Sequence, residues 1–179
     1  MQENKASKSR ESAMRDGTYL GALWITTFYV SIIMFKSMRN SIGLIAWALT
    51  VALMLLSPVL VYKFTANYRN KKCNGTISYS EAWLYMFIMY ACAIVLSSIA
   101  QYIFYAYIDP HLFATAIAEL EEFAALTEID AEGMRVLTEA MGELNMMSAG
   151  DIVMSQIGGH MSRDIIITSI LALAIKKQN

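Results

Sequence analysis

The sequence predicts an all-α integral membrane protein, with four transmembrane helices and an amphipathic two-helix extracytoplasmic segment between the third and fourth. Three observations predict it. Hydrophobic residues make up 56% of the chain and charged residues 16%, whereas soluble domains carry about 25% charge. Runs at 19–35, 42–62 and 82–108 are apolar and hold no formal charge. Between Asp109 and Asp151 stand ten acidic residues and one basic residue, Arg135.

The first run, 19–35, follows a polar tail, 1–16, expected in the cytoplasm. The second, 42–62, follows the short connection KSMRNS. A helix needs about 20 apolar residues to cross the hydrocarbon core, with some latitude, so the two runs predict an antiparallel helical hairpin. No small-residue cleavage site follows the first run, so it reads as a retained anchor. Pro58 removes a backbone donor inside the second run and predicts a kink near the carbonyl of Met54.

The third run, 82–108, is longer than a perpendicular crossing needs, and tilt or a protruding end must absorb the excess. Tyr79, Trp83 and Tyr85 mark its start and Tyr102, Phe104, Tyr105 and Tyr107 its finish, as expected of rings that favour the headgroup level. The fourth crossing, 152–175, contains His160, Arg163 and Asp164. Two central charges cost about 5 to 7 kcal/mol, against roughly 3 to 5 gained from the Ile, Leu and Val side chains. An off-centre placement therefore wins, with Arg163 and Asp164 snorkelling outward or shielded by neighbouring helices.

Lys and Arg beside membrane spans remain on the cytoplasmic side. With four spans, Lys5, Lys8, Arg10, Arg15, Lys63, Arg69, Lys71, Lys72, Lys176 and Lys177 all fall inside, ten of the fourteen basic residues. Both termini are thus expected in the cytoplasm and the acidic loop, 109–151, outside. In that loop Leu112, Phe113, Ala116, Ile117, Leu120, Phe123 and Ala124 recur at helical spacing. Asp130 can cap a second helix whose apolar face is Met134, Leu137, Met141 and Leu144. Ser148 and Asp151 form a capping-box start for the last helix. The domain reading is a tail, 1–16, and a single four-helix membrane domain, 17–179.

His160 lies one helical turn from Arg163 and Asp164, which makes these three, with Gln101 in the third span, candidates for an ion or proton pathway. The competing reading places them at the outer interface beside Gly158 and Gly159. Glu81 is either a partner or lipid contact facing Arg69, Lys71 or Lys72, or a helix N-terminal carboxylate with Ser78 or Ser80 as cap. The second is favoured. Ala93 with Ser97, and Gly17 with Gly21, are small-xxx-small pairs suited to close helix packing.

No HExxH, GxSxG, CxxC or phosphate-cradling glycine loop is present, and neither His111 nor His160 has an assignable nucleophile. The expectation is no enzyme, no metal and no cofactor. Cys73 and Cys92 fall in a basic loop and an apolar span, which argues against a disulfide between them. The acidic loop lacks the alternating ligands of a calcium loop. The basic residues stand in short clusters with no stacking platform, which excludes nucleic acid as a partner.

Two stretches, NGTISYSEAW (Asn74 to Trp83) and YIFYAYIDPHL (Tyr102 to Leu112), bracket the third span. With the span spacing, they resemble a family of small bacterial four-span inner-membrane proteins catalogued as domain of unknown function four-one-nine-nine. The resemblance implies four transmembrane helices, cytoplasmic termini and a helical segment between spans three and four. It implies no known activity, so no catalytic residue is carried over. The leading functional expectation is a non-enzymatic component that contacts other membrane proteins, a second copy of itself or lipid headgroups. The alternative is a small oligomeric transporter or channel using the polar residues of the last span.

Overall fold

The computed structural model describes residues 2–37, 41–126 and 131–176. They form six helices: α1 (Gln2–Lys36), α2 (Ser41–Lys72), α3 (Tyr79–Ile103), α4 (Leu112–Leu126), α5 (Ala131–Met146) and α6 (Ala149–Ile175). Three helical stretches are long and apolar enough to cross a membrane: Ser7–Lys36, Ser41–Lys72 and Tyr79–Ile108. Large apolar side chains such as Leu44, Ile45, Leu55 and Ile99 stay exposed along them, as lipid-facing surfaces require. α6 is of comparable length, at 27 residues, but carries His160, Arg163 and Asp164.

Helical structure extends beyond the apolar runs. α1 includes most of the polar tail and α2 continues through Pro58 to Lys72. The third span is not α-helical throughout, because Phe104–Ile108 forms a π-helical turn in which the Asp109 N–H donates to the Phe104 carbonyl at 2.9 Å. Asp109 then leaves helical geometry (φ −144°, ψ 74°), as a residue before proline is biased to do. α4 begins at Leu112, two residues beyond Pro110.

Two compact units comprise the chain, Met1–Ser98 with Ile157–Asn179, and Ile99–Gln156. In the first, Leu20, Val61, Tyr85, Met86, Met89 and Ile175 are among the fully enclosed side chains. There the α1 pair Gly17 and Gly21 packs closely against α3, with Ala93 of the α3 pair beside Gly21. A Cβ on Gly17 would lie 2.6 Å from the Met89 carbonyl oxygen and 2.8 Å from Cys92 Cβ, and one on Gly21 would lie 3.1 Å from Leu96 Cβ and 3.3 Å from Ala93 Cα.

The α2–α3 connection is built locally. The Gly75 and Cys73 N–H groups both donate to the Arg69 carbonyl, at 3.1 and 3.2 Å, closing α2 through Asn74 and Gly75 at positive φ (53° and 84°). This is the reversal that ends helices with a left-handed residue. Ser78 and Glu81 then cap α3 reciprocally. Ser78 N–H donates to Glu81 Oε2 at 3.2 Å, and Glu81 N–H to Ser78 Oγ at 3.2 Å.

In the second unit, Tyr105 stacks on Phe113 with centroids 5.7 Å apart, and Leu112, Met141, Ile152 and Val153 are buried. Ser148 and Asp151 form the expected capping box: Ser148 Oγ donates to Asp151 Oδ2 at 2.6 Å and Asp151 N–H to Ser148 Oγ at 3.2 Å. Asp130, the expected cap of α5, lies outside the described residues, as do the side chains of Leu120, Phe123, Ala124, Met134 and Leu137.

Candidate functional site

Trp24 of α1 organises a polar cluster inside the first unit. Its indole N–H donates to Ser57 Oγ of α2 at 3.0 Å. Its ring stacks on His160 of α6 with centroids 4.9 Å apart and meets Tyr90 of α3 at 5.9 Å. The Arg163 guanidinium carbon lies 5.7 Å from the same ring centroid, within reach of a cation–π attraction. One indole thus contacts residues of α2, α3 and α6.

Helical spacing brings His160, Arg163 and Asp164 to this indole together. Arg163 Nη2 lies 2.6 Å from His160 Nδ1, and Nε donates to Asp164 Oδ1 at 3.0 Å. Arginine has donors only, so Nδ1 accepts, and His160 is the neutral tautomer with its proton on Nε2. The Arg163 side chain is 43% exposed and that of Asp164 only 5%. Asp164 Oδ2 and the Tyr90 hydroxyl are both buried with no hydrogen-bond partner. Native interiors leave few such groups.

Both unpaired atoms belong to residues lining one cavity of about 210 Å³ between α3 and α6. Its remaining walls are almost wholly apolar, including Phe87, Ile94, Met161 and Ile165, with Thr168 adding one hydroxyl-bearing side chain. The cluster sits at similar depth in each apolar run. Trp24 is three residues before the midpoint of 19–35, Ser57 five after that of 42–62, and Tyr90 five before that of 82–108. At 1.5 Å per residue these offsets are only about 5 to 8 Å.

Outward snorkelling does not describe Asp164, which turns into the helix packing. Shielding by neighbouring helices describes it, while Arg163 is the half-exposed member. Gln101 is buried on α3 and belongs to the second unit. The Glu81 carboxylate accepts from the backbone N–H and hydroxyl of Ser78, at 3.2 and 3.1 Å, which is the capping geometry. Arg69 Nη1 donates to the Ile175 carbonyl at 3.0 Å, so its cation closes the C-terminal end of α6. Lys71 and Lys72 are exposed in the last turn of α2.

A second buried carboxylate stands near the start of the first apolar run. Asp16 Oδ2 accepts from the Tyr85 hydroxyl at 2.6 Å and Oδ1 faces Arg15 at 3.4 Å. Tyr68 stacks on Tyr85 at 4.2 Å. Sequence reasoning assigned no site role to Trp24, Ser57, Tyr90 or Thr168, because a tyrosine or tryptophan within an apolar run has the same periodicity as its neighbours. The readable signal was depth: each is a polar-tipped residue well inside a long apolar segment. Among the described residues, no three His, Cys, Asp or Glu side chains are grouped to hold a metal ion, and Cys73 and Cys92 are free thiols.

No curated protein and no solved structure matches the chain. The family model described as "Protein of unknown function (DUF4199)" matches residues 15–177, nearly the whole chain including every residue gathered around Trp24. The long apolar helices are those of a membrane-embedded protein, and the chain belongs to that DUF4199 family.

Proposed function

We propose that the protein is a non-enzymatic, proton-linked transport protein of the bacterial inner membrane, with four spans, cytoplasmic termini and an extracytoplasmic α4–α5 segment. The observation that carries the reading is Asp164, 4% exposed, with one carboxylate oxygen held by Arg163 and the other unpaired beside a cavity. An ionisable group held inside a membrane domain is a marker of ion and proton pathways.

A fourth crossing is supported by two registers along α6. Its His160 and Arg163 meet Trp24 near the middle of the first apolar run. Its C-terminal carbonyl at Ile175 accepts from Arg69 near the end of α2, and Trp83 Nε1 at the start of α3 donates to Ser169 Oγ at 3.2 Å. From mid-depth to one face, α6 therefore runs alongside the apolar helices. That face carries Arg69, Lys71 and Lys72, the side expected in the cytoplasm.

Arg163 supplies the reason to favour transport over a purely adhesive role. A guanidinium partly exposed at mid-depth needs water or a second copy of the chain against it, since hydrocarbon solvates it poorly. Proton transfer along Asp164 and His160 would be sensitive to the Arg163 bridge between them. In liposomes containing the purified chain, an imposed pH gradient is expected to collapse faster than in protein-free liposomes. Asp164→Asn is expected to return the rate to the protein-free level. Equal rates with and without the wild-type chain, across protons and the common monovalent ions, would sink the transport reading.

A further inference from the structure

The last turn of α2 carries cations that the chain itself leaves uncompensated. Arg69 Nε donates to Asn70 Oδ1 and Nη1 to the Ile175 carbonyl, both at 3.0 Å. Both acceptors are neutral, so the guanidinium is opposed only by the partial negative charge at the C-terminal end of α6. Lys72 stands three residues beyond Arg69, on the same face of α2, and Lys176 directly follows the residue whose carbonyl Arg69 holds. Both lysines are exposed, and among the described residues neither forms an ion pair. Acids on the neighbouring helices are engaged elsewhere. Asp16 accepts from Tyr85 and faces Arg15, Glu81 accepts from Ser78 in its cap, and Glu11 stands on the α1 tail among Lys8, Arg10 and Arg15. Three like charges gathered at the joined ends of α2 and α6 repel one another, and an anion placed among them relieves that repulsion.

Depth says which anion. Tyr62 closes the apolar run of α2 and Tyr79 opens α3, both with exposed rings. Trp83, one turn into α3, donates to Ser169, six residues before Ile175. The start of α3 and the end of α6 therefore lie within about two turns of each other. Exposed aromatic rings at the ends of apolar helices favour the headgroup level, where lipid phosphates are the anions at hand. Lysine stems lie along apolar surface while their ammonium heads stay in the polar layer. A soluble anion meets these charges through screening salt, whereas a lipid is already held in the plane beside the helices. A phosphatidylcholine headgroup brings its own compensating cation, so the uncompensated site favours a headgroup of net negative charge.

We propose that the joined ends of α2 and α6 bind the headgroup of an anionic phospholipid, with its phosphate among Arg69, Lys72 and Lys176. Binding there needs only these helices in a bilayer and is independent of the transport reading.

The full chain in phosphatidylcholine vesicles, probed with spin-labelled phosphatidylglycerol and spin-labelled phosphatidylcholine, yields their relative association from the motionally restricted fractions. At low salt phosphatidylglycerol is expected to be preferred about fivefold, the scale of one basic residue beside an anionic surface. The preference should shrink as salt rises. Lys72→Gln with Lys176→Gln, both at exposed positions that the fold tolerates, should bring the two lipids to near parity. Lys72→Arg with Lys176→Arg should keep the preference. Lys8→Gln with Arg10→Gln removes the same charge from the α1 tail and should leave most of it. Equal association of the two lipids with the wild-type chain, or a preference that survives the Lys72 and Lys176 glutamine pair, overturns the proposal. An equal fall in the α1 pair also overturns it, because the attraction then belongs to net charge and to no site. Soluble glycerol phosphate that abolishes the preference at constant ionic strength assigns the site to a free phosphate and overturns the lipid.

Discussion

Trp24 makes a polar and an aromatic contact at once, and each constrains the other. The bond to Ser57 fixes the plane of the indole, and that plane decides whether His160 and Arg163 can lie against it. Trp24→Phe would keep a ring but leave the buried Ser57 hydroxyl without its donor. At the other extreme of exposure, Arg135 of α5 lies 2.8 Å from Glu132 and 3.5 Å from Glu139. Its bond to Glu132 holds that carboxyl below the usual glutamate range. A depressed carboxyl stabilises the fold above its unfolded value and loses that contribution as pH falls through the folded value. In Arg135→Gln, the Glu132 carboxyl titration followed by NMR should move back up toward the ordinary range, with little change in overall stability because the pair is solvated.

Local residue chemistry was the most legible part of the sequence. The Ser78–Glu81 and Ser148–Asp151 boxes and the Asp109–Pro110 break each depend on residues no more than three apart, and their geometry follows from those residues alone. The Trp24 cluster was not legible in this way. Its partners are 33, 66 and 136 positions distant in the chain, at Ser57, Tyr90 and His160.

At the scale of elements, the α1–α3 contact is the most sharply testable. Membrane helices gain little from hydrophobic exclusion against one another, so close backbone approach through small residues matters more. Gly17 faces backbone and Gly21 faces mainly the Leu96 side chain, so alanine should be graded in effect. Gly17→Ala is expected to destabilise by about 1 to 3 kcal/mol, the range for overpacking, and Gly21→Ala by less, measured as reversible unfolding of the purified chain in mixed micelles. Both small pairs could be read from the sequence. The α3 face that the two glycines meet could not, because helices apolar on every side give no stripe to say which face is buried. The π-helical turn at Phe104–Ile108 was hidden for a related reason, since aromatic and aliphatic residues satisfy several helical periods equally.

For the whole molecule, the proposed threading rests on the charge pattern. Cysteine substitutions at Asn70, Thr115 and Ala140, in a chain lacking Cys73 and Cys92, test it with a membrane-impermeant thiol reagent. In intact cells Thr115→Cys and Ala140→Cys should label and Asn70→Cys should not; after permeabilisation all three should. Labelling of Asn70→Cys in intact cells would invert the threading. The three long apolar helices were readable from sequence, because apolarity is a sum over many residues. The depth of α6 was not, because its net apolarity balances against two charges whose effect depends on what surrounds them. Asp164 has Arg163 and the α3 face against it rather than hydrocarbon.

The tight approach at Gly17 also limits how the molecule can move. With a missing side chain setting the separation of α1 and α3, those helices have no slack to slide or rock past each other and must travel as one body. α6 carries no such interlock at Gly158 and Gly159, where an added Cβ would meet nothing within 4 Å.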